Sequence, residues 1–155
     1  AISDCLVGSE MCIRDRVAAM NAELQRQNID NIFLISPTTS DERVATITAQ
    51  ASGFIYYVAL KGVTGAGHLD TDAVEAHLAN IRQHTNLPVA VGFGIKDADT
   101  AATVAGCADA VVVGSALVDL VANDLISGGS HTSAISGAHS LISSIRNGVN
   151  LATSN

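Results

Sequence analysis

The sequence predicts an α/β chain in which short parallel strands alternate with amphipathic helices. Three observations carry this reading. From about residue 17 onward, apolar runs of strand length alternate with stretches of helical period. The runs are continuous rather than alternately polar, the pattern of parallel strands covered on both faces. Two of them, residues 90–95 (AVGFGI) and 111–116 (VVVGSA), run straight into glycine-containing turns that each precede a helix. A barrel of repeated βα units is the leading architecture, and an open doubly wound sheet is second.

Val17, Met20 and Leu24 recur at helical spacing, so the first helix runs over residues 17–28. Residues 31–36 (NIFLIS) form a strand that stops at Pro37. Thr39 then offers a capping box with Glu42, and Asp41 suits a first helical turn. Val44, Ile47, Thr48 and Ala51 make the inward stripe of that helix, and Gly53 ends it. Residues 54–60 (FIYYVAL) are the next strand, followed by the glycine-rich loop 61–68 (KGVTGAGH). Val74, Leu78 and Ile81 mark a helix opened by Asp70 or Thr71. Pro88 starts the strand that ends in GFGI. Asp97 is placed to cap the next helix and Gly106 to terminate it. Residues 108–113 are the last strand. Two helices remain, over 117–126 and 134–146, joined by the Gly/Ser-rich linker 127–133. Asn147-Gly148 reads as a helix stop.

Composition narrows the class. The chain has 155 residues, enough for one ordinary domain with a core. Apolar residues are 48% but aromatics only 3%, so small and β-branched side chains must fill the interior. A net charge of −7, with its eight basic residues scattered, argues against a nucleic-acid surface. No apolar run reaches membrane-spanning length, and the start AISDCLVGSE lacks a secretory pattern. Cys5, Cys12 and Cys107 lack metal spacing, and no metal site is expected. A reduced, cytoplasmic compartment is the default.

The paired turns carry the chemistry. Gly92 and Gly94 flank Phe93, and Gly114 precedes Ser115. Glycine admits close backbone approach, and a helix start adds N–H donors, so two such turns on consecutive strands make an anion site suited to phosphate. Ordinary strand-to-helix turns are the plainer alternative. The loop KGVTGAG suits a flap that closes over substrate, or else a surface connection. Its Lys61 could neutralise a phosphate or be solvated. Tyr56 and Tyr57, adjacent in one strand, must point to opposite faces, and alternation does not say which faces the interior. His68, His77, His84, His131 and His139 show no metal spacing, with His77 and His84 expected to face solvent. Cys107 reads as a packing residue. Asp41, Asp70 and Asp97 read as helix-start residues, which leaves no convincing catalytic carboxylate.

FLISPTTSDERVATI, SGFIYYVALKGVTGAG, LPVAVGFGIKDADTAATV and ADAVVVGSALV together resemble the tryptophan synthase alpha chain family, over about residues 16–150. The resemblance implies a TIM (β/α)8 barrel, of which this chain holds about the last four βα units in residues 17–150, with 151–155 a tail. It implies a lyase of tryptophan biosynthesis that cleaves indole-3-glycerol phosphate to indole and glyceraldehyde 3-phosphate. The alpha chain carries no cofactor. Its partner is a beta chain that uses pyridoxal phosphate, in an alpha2-beta2 assembly. By the same resemblance Gly65, Phe93, Gly94, Gly114 and Ser115 contact phosphate, Tyr56 lies near the catalytic site, Thr64 is the flap threonine, and Val112 lines the indole pocket.

A barrel of this class needs about 250 residues. The family's catalytic glutamate and aspartate have no match here, so the chain as given is expected to lack lyase activity. The alternative reading is a non-catalytic phosphate-binding half barrel that self-associates. Residues 4–16 (DCLVGSEMCIRDR) fit neither period and resemble translated sequencing-adapter text. Residues 1–16 are therefore expected to be non-native or disordered, and Cys5 and Cys12 are set aside; a divergent genuine segment is the other possibility.

Overall fold

A computed structural model describes residues 10–59, 71–92 and 94–153. Its elements are α1 (Glu10–Arg26), β1 (Phe33–Ile35), α2 (Asp41–Thr48), β2 (Ile55–Val58) and α3 (Thr71–His84), then β3 (Val89–Gly92), α4 (Ala98–Ala105), β4 (Ala110–Val112), α5 (Ser115–Ile126) and α6 (His131–Ala152). The four strands form one parallel sheet in the order β1-β2-β3-β4. Each strand lies beside the one before it, with a helical connection between. A doubly wound sheet reverses its strand order at a switch point. The observed order never reverses, which removes that alternative and leaves successive βα units.

The core lies on one face of this sheet. Ile35, Ile55, Tyr57, Val89 and Val91 meet Val44 and Ile47 of α2, Val74, Leu78 and Ile81 of α3, Ala101 and Val104 of α4, and Ile145 of α6. Alternation sends the intervening residues to the other side. The register aligns Leu34 with Tyr56, Tyr56 with Ala90 and Ala90 with Ala110, and it aligns Val58 with Gly92 and Gly92 with Val112. Among the described residues that second face is apolar yet partly open: Leu34 is 41% exposed, and Ala110 is also exposed. The sequence reading expected cover on both faces; among the described residues helices cover one of them. A continuous apolar run says that both faces avoid water in the finished fold, not that a helix covers each.

Several boundaries differ from the sequence reading, each for a local reason. The first helix starts at Glu10, not near residue 17. Thr39 does not cap α2. Ser40 holds the N-cap position without a side-chain bond, while the Thr39 hydroxyl accepts the Ser36 N–H at 3.1 Å inside the turn after Pro37. Helix α2 closes at Thr48, whose hydroxyl donates back to the Val44 carbonyl at 2.9 Å. Ala51 therefore packs on the core from beyond the helix, and Gly53, at φ +73°, serves the turn before β2. Asp97 caps α4 as expected, in a reciprocal box with Thr100.

Helix α6 carries the largest correction. It begins at His131, inside the anticipated linker, because Ser130 and Ser133 form a capping box. It then passes through Asn147-Gly148 to Ala152. Gly148 is buried, and a Cβ there would collide with the backbone carbonyl of Ala98. The glycine lets α6 touch the first turn of α4, so it is a packing residue and not a stop.

Candidate functional site

The strand ends bring the two glycine turns together. Gly92 of β3 is aligned with Val112 of β4, so Gly94 and Gly114 each lie two residues past that pair on neighbouring strands. Gly94 has φ +70°, and its absent Cβ would point into open space. Its glycine is therefore required by backbone conformation and not by crowding. Gly114 is the N-cap of α5, contributes no side-chain cap, and also borders open space. Its carbonyl accepts from Leu117 and Val118, the first bonds of the helix. The amides of Ser115 and Ala116 come before those bonds, where helices leave donors for a ligand or solvent. Ser115, exposed at the first helical position, adds a hydroxyl.

By contrast, the starts of α4 and α6 are closed by their own side chains. The Asp97 carboxylate accepts from the Thr100 N–H and hydroxyl, each at 2.8 Å. The Thr100 backbone bond leads the effects that hold this carboxyl below its ordinary pKa. Ser130 accepts the Ser133 N–H at 3.1 Å. Among these three helix starts, only α5 presents its donors without a side-chain cap.

Tyr56 and Tyr57 are separated by the sheet. Tyr57 is 1% exposed and packs against His77 of α3, with ring centroids 5.8 Å apart. Burial pushes its hydroxyl pKa up to about 12. Tyr56 lies on the open face, where its hydroxyl and ring edge occupy the space that a Cβ on Gly92 would fill. Gly92 is thus a notch in β3 that receives the neighbouring tyrosine, a role the sequence pattern did not separate from that of a turn glycine. Val112 shares this face at the end of β4. His77 is half-buried against Tyr57, which corrects its expected solvent exposure; His84 is exposed. Lys61, Thr64, Gly65, His68 and Phe93 lie outside the described residues.

Carboxylates near the strand ends are engaged in structure. Asp97 holds Thr100, and Asp41 accepts from Asn80 of α3 at 2.8 Å. Asp109, missed by sequence reasoning, works at the opposite end of the sheet. It accepts the Val89 N–H at 2.8 Å and pairs with Arg82 at 3.1 Å. Partial burial raises its pKa, but the Val89 bond and the Arg82 contacts together outweigh that and leave it lowered. Its only sequence signal is an aspartate just before a strand. Cys107, beside it, is half-buried, and burial with the nearby Glu75 charge raises its thiol pKa. Two shallow clefts also lie at this end, bordered by Arg82 and Asp109 and away from the glycine turns. Among the described residues no cluster of histidine, cysteine and carboxylate could hold a metal ion, and no helix is long and apolar enough to cross a membrane.

Comparison with known proteins points in one direction. The family model described as tryptophan synthase alpha chain matches residues 13–144. The chain is 55% identical over 103 residues to the tryptophan synthase alpha chain of Polaromonas naphthalenivorans, a match covering 66% of this chain and 38% of that one. It is 46% identical over 135 residues to that of Dechloromonas aromatica, covering 87% and 48%. In structure it resembles tryptophan synthase subunit alpha from Legionella pneumophila, with TM-score 0.73, 30% identity, and coverage of 91% of this chain and 50% of that one. Tryptophan synthase from M. tuberculosis gives TM-score 0.69 at 26% identity, covering 88% of this chain and 46% of that one. The chain thus spans about half or less of the length of these relatives.

Proposed function

Because this chain belongs to the tryptophan synthase alpha chain family, we propose that it supplies the phosphate grip of an alpha subunit that cleaves indole-3-glycerol phosphate to indole and glyceraldehyde 3-phosphate. The observation that carries this is the pairing of Gly94 with the uncapped Gly114–Ser115 start of α5 on adjacent strand ends. A phosphate seated there receives backbone N–H donors, the Ser115 hydroxyl and the positive end of the α5 dipole. Phe93 and Gly65 complete the contact by their match to the family pattern, and Thr64 belongs to the flap that closes over it.

The rest of the substrate extends over the open face of the sheet. Tyr56 and Val112 share that face; by their match to the family pattern, the indole portion lies against Val112 and the Tyr56 hydroxyl lies near the scissile bond. Gripping the phosphate turns remote binding energy into positioning of that bond. Asp41 and Asp97, near the strand ends, do no proton transfer in this scheme, since they are committed to Asn80 and Thr100. The partner is a tryptophan synthase beta chain, which holds the pyridoxal phosphate; the alpha chain needs none. The cytoplasm is the compartment.

Titration of isotope-labelled chain with inorganic phosphate tests the grip. The amide signals of Gly94, Gly114, Ser115 and Ala116 should shift together and saturate. Ser115→Ala should weaken binding by roughly 10-fold or more, the value of a hydrogen bond to a charged group. Shifts spread evenly over the surface, or unchanged affinity in that variant, would refute the assignment.

A further inference from the structure

We infer that Gly148 of α6 is a positioning residue for the phosphate grip, acting through the start of α4 on the turn that holds Gly94. The inference deepens the proposed function and rests on its phosphate site. The segment from Gly94 to Ala98 has little slack. Gly94 is held at φ +70°, and Ile95 beside it is buried in the core. The Lys96 and Asp97 amides both donate to the Thr100 hydroxyl at 3.3 Å, and that hydroxyl donates to the Asp97 carboxylate at 2.8 Å. Ala98 then opens α4. Tied in this way, the turn follows the first residues of α4 instead of flexing away from them.

Helix α6 sets Ala98 from the other side. A Cβ at Gly148 would lie 2.9 Å from the Ala98 carbonyl carbon and 3.0 Å from its Cα, and nearer still to the carbonyl oxygen. Carbon atoms in contact sit about 3.5–4.0 Å apart, so a methyl at 148 must separate the two backbones by roughly 1 Å. Helix α6 is the member that resists. Gly148 lies inside a helix of 22 residues, and Ile145 and Val149 on either side of it pack on the core. Ala98 is the first residue of its own helix, whose core contacts begin at Ala101. The displacement therefore falls on the start of α4 and the turn before it.

The grip needs that turn in one place. Its two halves, Gly94 after β3 and Gly114–Ser115 after β4, come from neighbouring strands and must converge on one anion. Hydrogen bonds to an anion weaken steeply with misalignment. Moving one half by roughly 1 Å while the other stays on β4 spoils the convergence without removing any group that touches phosphate. Coupling of this kind is reciprocal, so phosphate at the rim must act back on Gly148.

Titration of the isotope-labelled 155-residue chain with inorganic phosphate tests this in the parent, Gly148→Ala and Ile47→Val, each held where far-UV circular dichroism shows it folded. Ile47→Val trims the core on α2, which joins β1 to β2, whereas α4 joins β3 to β4. Gly148→Ala should move the Gly94 amide signal before phosphate is added and weaken binding roughly fivefold or more. Ile47→Val should lower thermal stability and leave both readings unchanged. Parent affinity in Gly148→Ala, or an equal loss in Ile47→Val, would overturn the inference while the phosphate site stands. If Gly148→Ala does not fold, the parent decides: its Gly148 amide signal should shift with the same midpoint as that of Gly94, and a Gly148 signal unmoved at saturation would overturn the inference. Failure of the phosphate reading looks different, since the parent itself would then show no binding at Gly94, Gly114 and Ser115, and the inference would fall with it.

Discussion

Two residues show how local physics assigns jobs that look alike in the sequence. Gly92 and Gly94 have a single residue between them, but only Gly94 of the two has positive φ. Gly94→Ala meets no atom, so its whole cost is backbone strain, about 1–2 kcal/mol, with matching loss of thermal stability. Asp97 allows a prediction with a sign. Its folded pKa lies below the ordinary value, chiefly through the Thr100 N–H. Such a group contributes stability that is complete above the unfolded pKa of about 3.9 and is lost as pH falls through the lower folded value. Asp97→Ala should therefore cost about 1 kcal/mol near neutrality, the usual loss of a cap. Denaturant unfolding should show the gap between variant and parent narrowing below about pH 4. A gap that persists unchanged at lower pH would show that the carboxylate charge is not what holds the cap.

At the scale of elements, helices and strands were largely legible, because burial on one face imposes a period that survives in the letters. Val74, Leu78 and Ile81 read as one buried stripe and form one. What failed was local chemistry with two uses. Thr39 is a capping residue by type, yet the turn after Pro37 takes its hydroxyl. Gly148 is a helix stop by type, yet Ala98 of a distant helix requires it. Such contacts join residues far apart in sequence and leave no periodic trace. They do give a test by sign. Glycine to alanine in a helix interior ordinarily gains up to about 1 kcal/mol. Gly137→Ala should follow that rule or be neutral, since its new methyl meets only the flexible tip of Leu120 at 3.0 Å. Gly148→Ala should instead lose about 1–3 kcal/mol, because rigid backbone stands in the way. Equal effects of the two substitutions in thermal melts would remove the α4–α6 close contact as the reason for Gly148.

For the whole molecule, the candidate site was legible to the extent that it is made of backbone. The motifs GFGI and VVGSA specify turns, and parallel neighbours at adjacent positions bring those turns to one rim. The face between them was not legible, since apolar runs do not distinguish a helix-covered face from an enclosed one. That face also separates binding from catalysis. In the proposed function phosphate needs only the rim, where Gly94, Gly114 and Ser115 stand. Cleavage of a carbon–carbon bond needs a proton donor and acceptor beside the scissile bond. On the open face the described side chains are Leu34, Tyr56, Val58, Ala90, Ala110 and Val112, none of them a carboxylate. The purified 155-residue chain should therefore bind phosphate yet release no indole from indole-3-glycerol phosphate, whether dilute or concentrated. Indole formation that rises with chain concentration and vanishes in Tyr56→Phe would overturn this division, and would make the tyrosine hydroxyl a catalytic group in its own right.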